Sequence, residues 1–133
     1  MPRKFPDKLE GFDSFGDLIG LTFTKLDRGY TQCTLEVQDK LLNPHRKLHG
    51  GALFTMADSG MGATLYTYID EDELCSTVNT NITYFKAVKS GSLTCDTRVI
   101  HRSKTLAAME SEIRQGGNLV AKAFATWALY KKS

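Results

Sequence analysis

Two features of this chain could do chemistry on a carbonyl group. One is the His49-Gly50-Gly51 turn at the mouth of an apolar segment; the other is the Asp58 carboxylate two turns inside it. A helix start leaves backbone N–H groups unpaired and carries the positive end of the helix dipole. That setting suits a carbonyl oxygen becoming an oxyanion. An Asp on an apolar helix is costly to desolvate unless something holds it there. Beside Met56, Ala57 and Met61, its carboxyl should titrate high and act as a stronger base. The competing reading is an ordinary polar residue on an exposed stripe, and the His-Gly-Gly turn before it favours the catalytic one. His49 could serve as a general base, or could make a structural hydrogen bond within its loop. Together these residues point to acyl chemistry.

Spacing limits how they can work. Eight residues along a helix, at 1.5 Å each, place Gly50 and Asp58 roughly 12 Å apart. Attack on a carbonyl needs nucleophile and oxyanion donor each within about 3 Å of the reacting group. One copy of the chain cannot satisfy both easily. If both act on one bond, they come from different subunits, which predicts a homodimer with the site at its interface; a dimer of dimers is a further expectation that the spacing itself does not give.

The elements that must position these residues follow from pattern. The stretch 51–69 is the one long helical segment, with Ala52, Leu53, Met56, Ala57, Met61 and Leu65 apolar. Gly60 and Gly62 within it imply very close packing against another surface. Phe12 to Ile19 reads as a short amphipathic segment. Residues 21–27 and 30–38 read as strands joined at Arg28-Gly29, and Asn43-Pro44 marks a loop from Lys40 to Leu48. Four long strands are expected over 76–85, 91–101, 105–115 and 119–130, with Gly116-Gly117-Asn118 a hairpin turn. The acidic run Asp70 to Glu73 reads as a solvated turn. One long helix beside a meander of long strands gives an α+β class, with a curved antiparallel sheet wrapped around the helix.

The bulk numbers exclude several classes. The 133 residues are 41% hydrophobic and 24% charged with a net charge of +2, as in one globular domain. That charge is too small to imply nucleic acid. No apolar leader opens the chain, and its longest weakly polar run carries Asp58, which argues against export and against a membrane span. Cys33, Cys75 and Cys95 are widely spaced and read as reduced packing thiols of a cytoplasmic protein. No metal ligand set is visible. The flanks of Ser59 lack the Gly-x-Ser-x-Gly elbow of serine hydrolases, and no phosphate-binding glycine loop is present.

The chain resembles hotdog-fold acyl-CoA thioesterases of the PaaI-like group over roughly Leu21 to Tyr130. The motifs that carry the likeness are Asn43, His49-Gly50-Gly51, Asp58, the run from Ser76 to Tyr84, and Lys104-Thr105-Leu106-Ala107. The resemblance implies a single hotdog domain over 1–133, with 1–20 as an N-terminal extension. It implies that the Gly50 N–H polarises the thioester carbonyl and that Asp58 attacks it or activates water. Asn43 would help hold the carboxylate, water or substrate. Thr77 would position the water, although a plain β-branched strand residue also suits that place. The family usually has glycine three residues after the Asn, where this chain has Arg46, and often Gly-Lys where this chain has Ser103-Lys104.

The expected function is hydrolysis of aryl- or medium-chain acyl-CoA to free acid and CoA, without a cofactor. Arg98, His101, Arg102 and Lys104 form the densest basic cluster of the strand region. Arg102, Ser103 and Lys104 at the hairpin tip, with Arg46 beside the loop, are the expected CoA-phosphate contacts; a solvated turn is the alternative. Two rival functions remain: a non-catalytic acyl-CoA binding protein and an enoyl-CoA hydratase on the same scaffold. The second would call for an Asp and a His acting together, and no His closely follows Asp58.

Overall fold

The computed structural model describes residues 12–133; the expected extension over 1–20 lies outside them except for its last part. That part forms α1 (Ser14–Ile19), whose first turn is capped by the Asp13 carboxylate accepting from the Gly16 N–H at 3.0 Å. Gly20, at φ 87°, ends it in the left-handed conformation. Then follow β1 (Thr22–Asp27), β2 (Tyr30–Glu36), a 3-10 turn at Asp39–Leu41, and α2 (Gly50–Tyr68). Four strands complete the chain: β3 (Glu73–Tyr84), β4 (Ser92–Arg102), β5 (Leu106–Gln115) and β6 (Asn118–Lys131).

All six strands form one antiparallel sheet in the order β1-β2-β4-β5-β6-β3. The order departs from a simple meander. After α2 the chain lays β3 on the far edge against β6, then crosses back to place β4 beside β2. The inward residues of each strand, such as Leu35, Leu93, Met109 and Ile113, close on Met56, Met61 and Leu65 of α2. This is the expected hotdog arrangement: one long helix with a curved sheet around it.

The two helix glycines sit where the sequence demanded close approach. A Cβ on Gly60 would lie 2.6 Å from Thr97 Oγ1, and one on Gly62 would lie 3.3 Å from the Trp127 ring. Cys33 and Cys95, far apart in sequence, face each other across β2 and β4, both free and buried. The acidic turn after α2 differs from expectation at its last residue. Glu73 opens β3, is buried, and receives both Nη groups of Arg102 at 3.1 Å each. A bidentate pair of this kind is strong enough to draw a carboxylate out of solvent.

Candidate active site

The site starts from the loop that feeds α2. Asn43 Oδ1 accepts from the N–H groups of His45 (2.9 Å) and Lys47 (3.1 Å), while the Asn43 N–H donates to the Lys47 carbonyl at 2.7 Å. Asn43 thus closes the loop on itself, and it also lines the cavity beside Gly50. The closure forces Arg46 to φ 62°, the left-handed region that favours glycine. The glycine usual in related loops is therefore explained by this turn, and Arg46 occupies it under strain. Its guanidinium lies 3.6 Å from an exposed Asp39 carboxylate, a pairing of small value.

His49 is the N-cap of α2. Its Nδ1 accepts from the Gly51 N–H at 2.8 Å, so that ring nitrogen already serves the helix start. Its own N–H donates to the Leu41 carbonyl at 2.8 Å. Among the described residues the Gly50 N–H meets no acceptor, while the Gly50 carbonyl accepts from the Tyr84 hydroxyl at 3.1 Å. Of the two glycines in the turn, Gly50 is the one with a donor to spare.

Asp58 lies on the less buried stripe of α2, with Thr55, Ser59, Gly62 and Tyr66. Its Oδ1 accepts from the Thr77 hydroxyl at 3.0 Å. Burial pushes the Asp58 carboxyl above its usual range; donation from Thr77 pulls it partly back, and the nearby Asp13 charge adds to the rise. A cavity of about 260 Å³ opens beside the carboxylate, walled by Phe12, Phe23, Trp127, Gly62 and Ala63. The turn that carries Asp58 is pinned from beneath: Ser111 donates to the Ala57 carbonyl at 3.3 Å, and Thr31 and Thr64 to the Gly60 carbonyl at 3.2 and 2.7 Å. These hydroxyls are fully buried, and such satisfied networks hold a backbone rigidly.

The structure thus places Thr77, expected to position water, on the Asp58 carboxylate, while Asn43, expected to help hold the carboxylate, water or substrate, lies with His49 at the Gly50 end. The sequence reading missed the aromatic wall. Phe12, Phe23 and Trp127 come from three separate elements, and only the inward parity of Trp127 on β6 was readable beforehand. Tyr84 and Phe85 line a second cavity of about 360 Å³ at Gly50. The hairpin cations stand apart from both cavities. Arg102 is committed to Glu73, and it lines a third cavity with Lys104, Asp70 and Lys131.

Comparison with known proteins agrees with this fold. The thioesterase superfamily profile matches residues 45–122, which carry the loop end, α2, β3 to β5 and the start of β6. The acyl-coenzyme A thioesterase PaaI of Escherichia coli is 27% identical, over 76% of this chain and 71% of its own length. A conserved protein of Pseudomonas aeruginosa superposes with a TM-score of 0.89 at 32% identity, covering 94% of this chain and all of that one. A mutant thioesterase from the same organism gives 0.87 at 26% identity, with 98% of each chain covered. The chain belongs to the thioesterase superfamily, as a PaaI-like hotdog protein. It is a thioester hydrolase. Among the described residues no helix is long and apolar enough to cross a membrane.

Proposed function

We propose that this protein hydrolyses acyl-CoA thioesters, with aryl or medium-chain acyl groups, at a site completed by a second copy of the chain. The observation that carries the reading is the half-buried Asp58 carboxylate, held by Thr77 and opening on a cavity walled by aromatic rings. An acyl group in that cavity would lie against Phe12, Phe23 and Trp127, with its carbonyl carbon at the carboxylate. Asp58 then attacks the thioester carbon or takes the proton of an attacking water, and the raised titration of its carboxyl strengthens either role. The C–S bond breaks and the sulfur leaves as the thiol of CoA, taking a proton that comes from water; in the nucleophilic route a water then cleaves the Asp58 acyl anhydride, releasing the free acid and restoring the carboxylate.

The oxyanion donor is the Gly50 N–H of the other protomer, because roughly 12 Å of helix separates Gly50 from Asp58 within one chain. The sheet supports such a partner. β3 is an edge strand of 12 residues with Val78 and Tyr84 exposed, and Phe85 exposed just after it, the kind of open edge that pairs with another strand. Asp58 touches β3 at Thr77 and Gly50 touches it at Tyr84. Two β3 strands paired antiparallel about a two-fold axis midway, near Thr80 and Asn81, bring the Asp58 end of one protomer to the Gly50 end of the other. Asn43 and His49 support that Gly50 end.

The direct test is thiol release across a panel of acyl-CoAs, repeated with Asp58→Asn and Asp58→Ala. Activity is expected in the wild type and loss in both variants. Full turnover in either variant would remove Asp58 from the mechanism.

A further inference from the structure

The cavity at Gly50 carries a cluster of cations that the thioester chemistry leaves unused. Its wall includes His45 and Lys47 from the loop before α2, and Lys86 from the segment after β3. Lys89 reaches the same place. The Leu48 N–H donates to the Val88 carbonyl at 2.7 Å, which ties the two segments together. Desolvation first, and then the neighbouring Lys89 ammonium, pull the Lys47 ammonium below its ordinary range. Among the described residues no carboxylate forms an ion pair with Lys47, Lys86 or Lys89. Lysines held side by side without a counter-ion repel one another unless an anion joins them. The cations of the β4–β5 hairpin differ, because Arg102 there already holds Glu73 in a bidentate pair.

We propose that Lys47, Lys86 and Lys89 bind the phosphates of the substrate's CoA portion, so that CoA lies over the Gly50 end of one protomer and the acyl group under the aromatic wall of the other. This rests on the acyl-CoA hydrolase reading and deepens it by giving the substrate a direction. Lysine serves as a point charge for phosphate, and its long stem reaches a diphosphate without fixed geometry. The cavity wall has Leu48, Leu53, Phe85 and Val88 for the uncharged arm between phosphate and thioester. The two cavities then divide one substrate by its chemistry: aromatic and apolar at Asp58, cationic at Gly50.

The test compares two substrates in one enzyme. An acyl-CoA and the same acyl group on N-acetylcysteamine share the thioester but differ in the phosphates. In Lys47→Ala/Lys89→Ala, the ratio of kcat/KM for acyl-CoA to that for the short thioester is expected to fall about tenfold, chiefly through KM. The salt dependence of KM for acyl-CoA should flatten in the same variant. An unchanged ratio overturns the proposal, as does a fall in Lys104→Ala in its place. Calorimetry with CoA alone separates this from failure of the hydrolase reading. Wild-type protein should bind CoA at low salt and the double variant about tenfold more weakly, whether or not turnover occurs. Equal binding by both proteins, or none by the wild type, also overturns it.

Discussion

The two ends of the candidate site treat charge in opposite ways. At the Asp58 end one carboxylate is drawn into a cavity of aromatic side chains, with a single hydroxyl donor, and burial raises its titration. At the Gly50 end the loop satisfies itself through Asn43 and His49, leaves the Gly50 N–H without an acceptor among the described residues, and sets lysines around an open cavity. The first end concentrates reactivity by removing water. The second sets lysine ammonium groups beside a backbone donor at an open cavity. The proposed substrate, a thioester of a large anionic carrier, would use both ends, and the fixed rise of the helix is why the proposal calls for two copies of the chain.

Breaking the reactive end should have the largest effect. Asp58→Asn keeps shape and removes the base, so kcat should fall by about 10²-fold or more, measured as thiol release under saturating substrate. The variant should also resist thermal unfolding better than wild type at neutral pH. A carboxyl whose folded titration is raised gives stability that is lost as pH rises and the group ionises, and Asn has no such cost.

The contrast between paired and unpaired cations is sharpened at Glu73. Its carboxyl is held down to about 2, chiefly by the hydrogen bonds from Arg102, against an ordinary value of 4.5. A depressed carboxyl contributes stability that is complete above the unfolded value and lost as pH falls toward the folded one. Stability should therefore drop by up to about 3 kcal/mol between pH 5 and pH 2, and denaturant titrations should show that segment of the drop missing in Glu73→Gln. Unchanged acid sensitivity in the variant would mean that the pair contributes nothing.

A smaller effect is expected at Thr77. Replacing it with Val removes the donor that lowers the Asp58 carboxyl, so the acid limb of the kcat/KM profile should move to higher pH. The accompanying loss at neutral pH should be on the order of tenfold or less. A plain strand residue would leave the limb where it was. The smallest change is at Arg46, where Arg46→Gly relieves a left-handed φ and gives up one exposed ion pair. Stability should rise by about 1 kcal/mol or less by chemical denaturation, and a loss of stability would show that the loop needs the side chain.

Much of this molecule was legible in one dimension. The start of α2 was fixed to within one residue by the His-Gly-Gly turn, and its two inner glycines announced a close contact that proved to involve Thr97 and Trp127. Strand alternation placed β2, β4, β5 and β6 within a few residues of their observed bounds. The Gly50–Asp58 spacing already argued for a second chain, because helix rise is the same in every protein.

What stayed hidden depended on strand order. Alternation gives the faces of a strand, not its neighbours, so a meander was the natural reading until β3 appeared on the far edge beside β6. That placement alone sets Thr77 on Asp58, leaves an open edge, and brings Glu73 to Arg102 across residues that sequence spacing cannot connect. The aromatic wall and the Lys47–Lys89 pair share this origin, since each joins segments far apart in the chain. Local chemistry determined the helix, its reactive residues and the distance between them. Only the tertiary structure decided which side chains surround them, because burial and charge pairing act through space rather than along the chain.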